Sequence, residues 1–316
     1  MRILITGATG LIGKVIVQKC RENQIEVNYL TTRKNKLTTK GKIRGFYWNP
    51  SKGEIDSKCL EGVTAVINLA GSSISQRWTQ SNKKDILNSR IDSLRTLRSA
   101  MEKSDLSEIR SFVSASAIGL YPDSLDRYYT EDESEIDDSF LGEVVSKWEE
   151  EISAFKEFSF PVAMIRVGLV LSMDGGALPA MVRPVKAYMG AAFGSGEQWQ
   201  SWIHIDDLAR QFLFVIDHGL EGVFNGVAPN PVTNSRLVRE IAAVLNKPLI
   251  LPNIPQGLMK AVLGDMSYLL FASQRVSSKK IEEEGFDFNF KNICSALKDI
   301  LHSEETSSDI FQKEFV

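Results

Sequence analysis

The chain opens with "RILITGATGLIG", a short strand-like run followed by glycines at positions 7, 10 and 13 and then an apolar pattern of helical period. A strand that turns at once into a helix sets the helix's unpaired N–H groups, and the positive end of its dipole, beside the strand's carboxyl end. Gly7 permits the tight turn, Gly10 lets backbone approach a pyrophosphate, and Gly13 lets the helix pack against the strand. A ligand-free glycine turn is the alternative, and strand before with helix after weighs against it.

The alternation continues. "EVNYLTT", "AVINLAG", "RSFVSASA" and "PVAMIRVGLVL" read as buried strands, and "NKKDILNSRIDSLRTLRSAMEK" as a long helix with Ile86, Ile91, Leu94, Leu97 and Met101 near helical spacing and packed on the sheet. This predicts an α/β fold, a Rossmann-like doubly wound parallel sheet. After Val170, Gly and Pro punctuate shorter elements. "DLARQFLFVIDHG", "NSRLVREIAAVLN", "PQGLMKAVLGDMSYLLF" and "FKNICSALKDIL" are predicted helices of a smaller C-terminal substrate lobe. The expected division is 1–170 for the dinucleotide-binding part, 171–302 for the lobe with segments returning to the sheet, and 303–316 for a polar tail.

With 43% hydrophobic and 24% charged residues the sequence can bury a core, and a formal charge of -3 gives no broad basic field, so no nucleic-acid partner is expected. No run reaches the roughly 20 apolar residues of a membrane span, and "MRILITGATG" lacks a signal peptide's apolar core. The three cysteines are odd in number and far apart, which suits a reducing compartment and a cytoplasmic protein. Three scattered histidines offer no metal cluster, and the acidic "DSLDRYYTEDESEIDDS" reads as a solvated flap able to close over a substrate. A homo-oligomer stays open.

The second strand ends in "YLTTRKNK", where a site for NAD usually carries a carboxylate for the ribose 2'-hydroxyl. Here Arg33 and Lys34 follow instead. Cations attract a 2'-phosphate that a carboxylate would repel, so the residues favour NADP(H), with two solvated loop cations as the plain alternative. In "INLAG", Leu69, Ala70 and Gly71 leave room for an adenosine ribose, while Asn68 serves equally as a binding group or as a tie between strand and loop.

"TGATGLIG", "INLAG", "ILNSRIDSLRTL", "SASAIGLYP", "SKWEEE", "RVGLVLSMDGGAL", "GSGEQWQSWIHIDDLA" and "FNGVAPNPVTN" run in an order that resembles the extended short-chain dehydrogenase/reductases, and within them the divergent epimerase-family branch. The resemblance implies a sheet of about seven strands, a small C-terminal lobe and bound NADP. It further implies cofactor contacts from Gly7, Thr9, Gly10, Leu11, Ile12, Gly13, Arg33, Leu69, Ala70, Asp85, Arg90 and Val170. Arg90 has a chemical rationale as a guanidinium beside pyrophosphate, with a surface helix arginine as the plain alternative.

In that superfamily a Ser orients the substrate oxygen, a Tyr moves the proton, and a Lys four residues later lowers the Tyr pKa and holds the nicotinamide ribose. Ser116 matches the Ser and Lys147 the Lys, but Glu143 stands where the Tyr belongs. Lys147 borders the apolar stripe of Leu141, Val144, Val145, Trp148, Ile152 and Phe155, and forms either a ribose contact or an ordinary helix pair with Glu143. Tyr121 is the other candidate proton donor, or else a packed aromatic. His204 reads as structural and Asp206 as a helix cap, while Arg183 and Asn225 are candidates for lining a crevice. The expected function is hydride transfer with NADP(H) on an unknown small carbonyl or hydroxyl substrate. Sugar epimerisation with retained cofactor and non-catalytic NADP(H) sensing are the alternatives.

Overall fold

The computed structural model describes residues 1–302. In chain order the main elements are β1 Arg2–Thr6, α1 Leu11–Glu22, β2 Glu26–Thr31, β3 Thr39–Lys40, β4 Ile43–Asn49, β5 Glu54–Ile55, β6 Ala65–Asn68, α2 Gln80–Met101 and β7 Ser111–Ala117. They continue with β8 Tyr128–Tyr129, α3 Phe140–Ser153, β9 Val162–Val167, β10 Leu169–Leu171, α4 Leu178–Lys186, β11 Trp199–Gln200, β12 Trp202–His204 and α5 Ile205–Asp217. Then come β13 Gly222–Gly226, β14 Val232–Thr233, α6 Asn234–Val244, α7 Gln256–Leu263, α8 Tyr268–Phe271, β15 Arg275–Val276 and α9 Lys279–Glu283. The expected tail, 303–316, lies outside the described residues.

Two units divide the chain: 1–122, 134–167 and 208–225 form the first, and 123–133, 168–207 and the chain from 226 form the second. The first unit is built on a sheet ordered β13-β9-β7-β6-β1-β2-β4, with the two-residue β3 and β5 added on β4. Every pairing from β9 to β4 is parallel, whereas β3 and β5 pair antiparallel. This is the Rossmann order, and it reverses between β1 and β6, the switch point outside whose strand ends ligands bind. The central strands are buried almost throughout, as a sheet covered on both faces requires.

Helix starts follow local chemistry. The Thr79 hydroxyl accepts from the Asn82 N–H and opens α2, and the Ser139 hydroxyl accepts from the Leu141 N–H and opens α3. The single strand expected across "PVAMIRVGLVL" is two: β9 pairs with β7, and β10 pairs with β12 in the second unit. Gly168 separates them because a Cβ there would lie 2.2 Å from the Ser201 carbonyl oxygen, a contact only glycine allows.

Among the described residues the second unit holds three small sheets, β10–β12, β11–β14 and β15–β8, and a core that includes Leu178, Val182, Trp202, Leu237, Ile241 and Leu297. The first part of the acidic segment, residues 123–133, belongs to this unit and is tied to it rather than standing free as a flap. Asp123 accepts from the Ser273 N–H at 2.8 Å, Ser124 exchanges hydrogen bonds with Ser273, and β8 pairs with β15.

Candidate functional site

The switch point is shaped by absent side chains. At Gly7, φ is +67° and a Cβ would fall 2.7 Å from the Leu69 carbonyl oxygen; at Gly13 it would fall 2.3 Å from the Gly7 carbonyl oxygen. β1, α1 and the end of β6 can meet this closely only with glycine at both positions. The Gly10 N–H donates to Gly7 at 2.9 Å, and Gly10 starts α1 with no side-chain cap and no acidic residue in the first turn. Thr9 and Gly10 are exposed, and Leu11 and Ile12 half-buried. An uncapped helix start of this kind is suited to an anion.

Beneath it, the Thr6 hydroxyl accepts from the N–H groups of Leu69 (3.0 Å) and Ala70 (3.1 Å) and donates to Asn68. The Asn68 amide donates to the Ser114 hydroxyl at 2.9 Å, and the residue is fully buried. Of its two readings, Asn68 takes the structural one. Leu69 and Ala70 therefore offer a neighbouring group surface rather than N–H donors.

The segment after β6 is tied to α2. The Ser72 N–H donates to the Ser89 hydroxyl, and Arg90 Nη1 donates to the carbonyls of Ser72 (3.2 Å) and Ile86 (2.7 Å). Gly71 keeps this approach open, since a Cβ would sit 3.1 Å from the Arg90 guanidinium carbon. The guanidinium lies 4.9 Å from the Trp148 ring centroid, its Nε has no hydrogen-bond partner, and burial lowers its pKa to about 10. Arg90 forms no ion pair among the described residues. A poorly solvated cation without a carboxylate is electrostatically incomplete, and an anionic ligand would complete it.

At the end of β2, Arg33 and Lys34 are exposed, and Lys36 follows in the same short 3-10 turn. None of the three has an ion pair among the described residues; the Lys34 ammonium lies 5.2 Å from the Tyr47 ring centroid. No carboxylate occurs between Thr31 and Lys42. Asp85 is exposed on α2, and Val170 is half-buried in β10 opposite Ile203.

Ser116 and Tyr121 belong to one closed interior network. The Ser116 hydroxyl donates to Glu149 at 2.6 Å, and Arg166 holds the same carboxylate through Nε and Nη2, both at 2.9 Å. Arg166 Nη1 donates to the Tyr121 hydroxyl at 3.0 Å, and that hydroxyl donates to Asn225 at 2.7 Å. Burial alone would pull the Arg166 pKa down, but the hydrogen bonds and charge of Glu149, with Tyr121 adding, hold it above the ordinary value. Ser116 is 2% exposed and Tyr121 fully buried. Glu149 and Arg166 were not expected. The signal was a lone arginine in the apolar run "PVAMIRVGLVL", since a charge in a buried strand requires a partner.

Glu143 and Lys147 stand apart from this network. They form an exposed pair one helical turn apart, Nζ to Oε1 at 2.6 Å. Val144, Val145, Trp148, Ile152 and Phe155 are buried as the stripe predicted, with Lys147 outside it. Asn225 is buried beneath Tyr121, and Arg183 is exposed on α4. In the second unit, His204 Nδ1 accepts from the Asp206 N–H at 3.1 Å, and the ring stacks on Phe290 at 3.9 Å, a structural role. Asp206 thus receives a cap from His204 at the start of α5, and Asp207 accepts from the N–H groups of Asn289 and Phe290.

No group of metal-ligating residues occurs among the described residues, and no described helix is long and apolar enough to cross a membrane. All three cysteines are free.

The strand order and the glycine-shaped switch point define an extended short-chain dehydrogenase/reductase fold. A family model described as "NAD dependent epimerase/dehydratase family" matches residues 3–226, and the chain belongs to that family. Residues 254–300 match a domain of unknown function. An epimerase family protein of Staphylococcus epidermidis is 38% identical over 301 residues, 95% of this chain and 99% of its own length. The human epimerase family protein SDR39U1, solved with NADPH, superposes with a TM-score of 0.83 at 28% identity, covering 95% of this chain and 99% of that one. A nucleoside-diphosphate sugar epimerase of Corynebacterium glutamicum superposes with a TM-score of 0.76 at 29% identity, covering 95% of this chain and 58% of that one.

Proposed function

We propose that this protein binds NADP(H) and acts as an oxidoreductase on a small carbonyl or hydroxyl substrate. The observation that carries the reading is the end of β2, where Arg33 and Lys34 follow the strand with no ion pair among the described residues and no acidic residue nearby in sequence. Guanidinium and ammonium groups suit the 2'-phosphate that distinguishes NADP from NAD. The uncapped start of α1 and the incomplete charge of Arg90 suit the pyrophosphate. The NADPH-bound human relative supports the same choice. When bound, the nicotinamide supplies or accepts the hydride.

The chain's own groups set the rest. Glu149 accepts from Arg166 at both oxygens and from the Ser116 hydroxyl, so the Ser116 hydrogen points to Glu149 and the Ser116 lone pairs remain for a donor. On this reading Ser116 meets a substrate hydroxyl as acceptor. Lys147 reaches a ribose by exchanging Glu143 for it, giving up an exposed helix pair worth about 0.2–0.5 kcal/mol. Tyr121 acts as a buried support, because its hydrogen is used on Asn225. The proton carrier is then a water or Glu143.

Because Ser116 and Tyr121 are enclosed, a second reading has a specific observation in its favour: an NADP(H) sensor without turnover. Epimerisation with retained cofactor rests on the likeness to the epimerase/dehydratase family and to the sugar epimerase. Cytoplasmic residence and a small-molecule rather than nucleic-acid or membrane partner form part of the proposal. Protein loaded with oxidised NADP and given a broad panel of hydroxyl compounds separates the readings: formation of reduced cofactor that S116A abolishes supports the oxidoreductase, and tight binding with no turnover supports the sensor.

A further inference from the structure

The loop that carries Arg33 and Lys34 is held by one buried phenol. Tyr29 lies in β2, 7% exposed, directly opposite Gly45 of β4 in the parallel register. Its ring fills the space a side chain at position 45 would need: a Cβ there would lie 2.5 Å from both Cζ and the hydroxyl oxygen. Laid across Gly45, the hydroxyl donates to the Lys36 carbonyl at 2.6 Å, accepts from the Thr38 N–H at 3.2 Å and stands 3.0 Å from the Thr38 hydroxyl. The Thr38 carbonyl in turn accepts from the Gly45 N–H at 2.9 Å.

The other end of the loop is also fixed. The Arg33 N–H donates to the Thr31 hydroxyl at 3.2 Å, and the Arg33 carbonyl accepts from the Lys36 N–H at 2.9 Å. The Lys34 ammonium rests over Tyr47, the residue of β4 opposite Thr31. Three cations thus occupy one short turn with no counter-charge among the described residues. Mutual repulsion favours a loop that spreads, and only ties to its backbone keep the charges together. A tie that holds the turn in place before a ligand arrives reduces the ordering cost of binding.

We propose that Tyr29 is a positioning residue for cofactor choice. Its hydroxyl, seated over Gly45, holds the Arg33–Lys34 turn ready for a 2'-phosphate, so that removing the hydroxyl weakens NADPH selectively while touching no ligand atom. This rests on the NADP(H) reading above. Phe fills the Tyr29 site without the hydroxyl, so Y29F preserves packing and removes only the tie.

The test is calorimetric titration of nucleotide-free wild-type protein, Y29F and G45A with NADPH and with NADH, alongside each variant's thermal midpoint. The expected result is a wild type that prefers NADPH. Y29F loses about 5–20-fold in NADPH affinity, the equivalent of one or two hydrogen bonds, and changes less than about twofold for NADH. G45A, which pushes the ring aside without altering Tyr29, shifts the ratio the same way. Equal losses for both cofactors, or no change in Y29F, overturn the positioning role while leaving the NADP(H) reading intact. A wild type without preference overturns that reading and the inference with it.

Discussion

Within the first unit, the ends of β1, β2 and β6 and the end of β7 face opposite electrostatic situations. The first three present an uncapped helix start, exposed cations without ion pairs and a half-buried arginine whose buried Nε has no hydrogen-bond partner. The last pairs its charges within itself: Ser116, Glu149, Arg166, Tyr121 and Asn225 hydrogen-bond to one another in the interior. One region leaves its positive groups without carboxylate partners, whereas the other has an internal ion pair. On the function proposed above, the difference teaches that dinucleotide binding and proton transfer are separable in this fold, and that the residues suited to the first are the more plainly present.

Breaking the closed side should have the largest effect. E149A strips the carboxylate from a buried Arg166 and should cost about 3–5 kcal/mol of stability, measured by denaturant titration. The paired change E149L/R166M removes both charges and should recover most of that loss; failure to recover would mean the network holds more than its own charges. On the open side, G7A puts a Cβ against the Leu69 carbonyl at a positive φ and should weaken NADPH about 100-fold or more, with a lowered thermal midpoint. R33A should weaken NADPH about 10–30-fold and NADH by less than about threefold, with the gap narrowing as salt rises. Equal losses would reduce Arg33 to a solvated loop cation.

Smaller effects sharpen the comparison. E143Q removes an exposed pair and should change stability by no more than about 0.5 kcal/mol. A large loss of turnover in E143Q with binding intact would make Glu143 the proton carrier. The smallest effect lies in the second unit. Burial, opposed by Asp299, Asp207 and Asp206, lowers the His204 pKa, so the neutral ring is the form the fold prefers. That contribution is complete above the unfolded histidine value of about 6.5 and is lost as pH falls below it. H204N keeps an acceptor for the Asp206 N–H but cannot titrate, and should unfold at a slightly lower pH than wild type.

The parallel sheet and the glycine turn were legible because both write themselves locally: strand-type runs alternate with helical periods, and glycines sit at fixed offsets from β1. The division of "PVAMIRVGLVL" at Gly168 was not, since the reason is the Ser201 carbonyl more than 30 residues away in sequence. For the same reason the partners of Ser116 escaped notice. Glu149 looked like one of three consecutive surface acids in "WEEE", and only the fold brings Arg166 to it. Asn68 and Tyr121 each had two readings that sequence could not separate, because a buried amide or phenol differs from a binding one only in where its hydrogen bonds end. Tyr29 gave no signal at all: a tyrosine in a strand is ordinary until Gly45 is found opposite it.

The most direct test of the account is titration of nucleotide-free protein with NADPH and NADH side by side at fixed ionic strength. The open cationic end of β2 predicts NADPH binding at least about tenfold tighter than NADH. Equal affinity, or heat from neither, would contradict it and leave the family's fold without the cofactor choice argued for it.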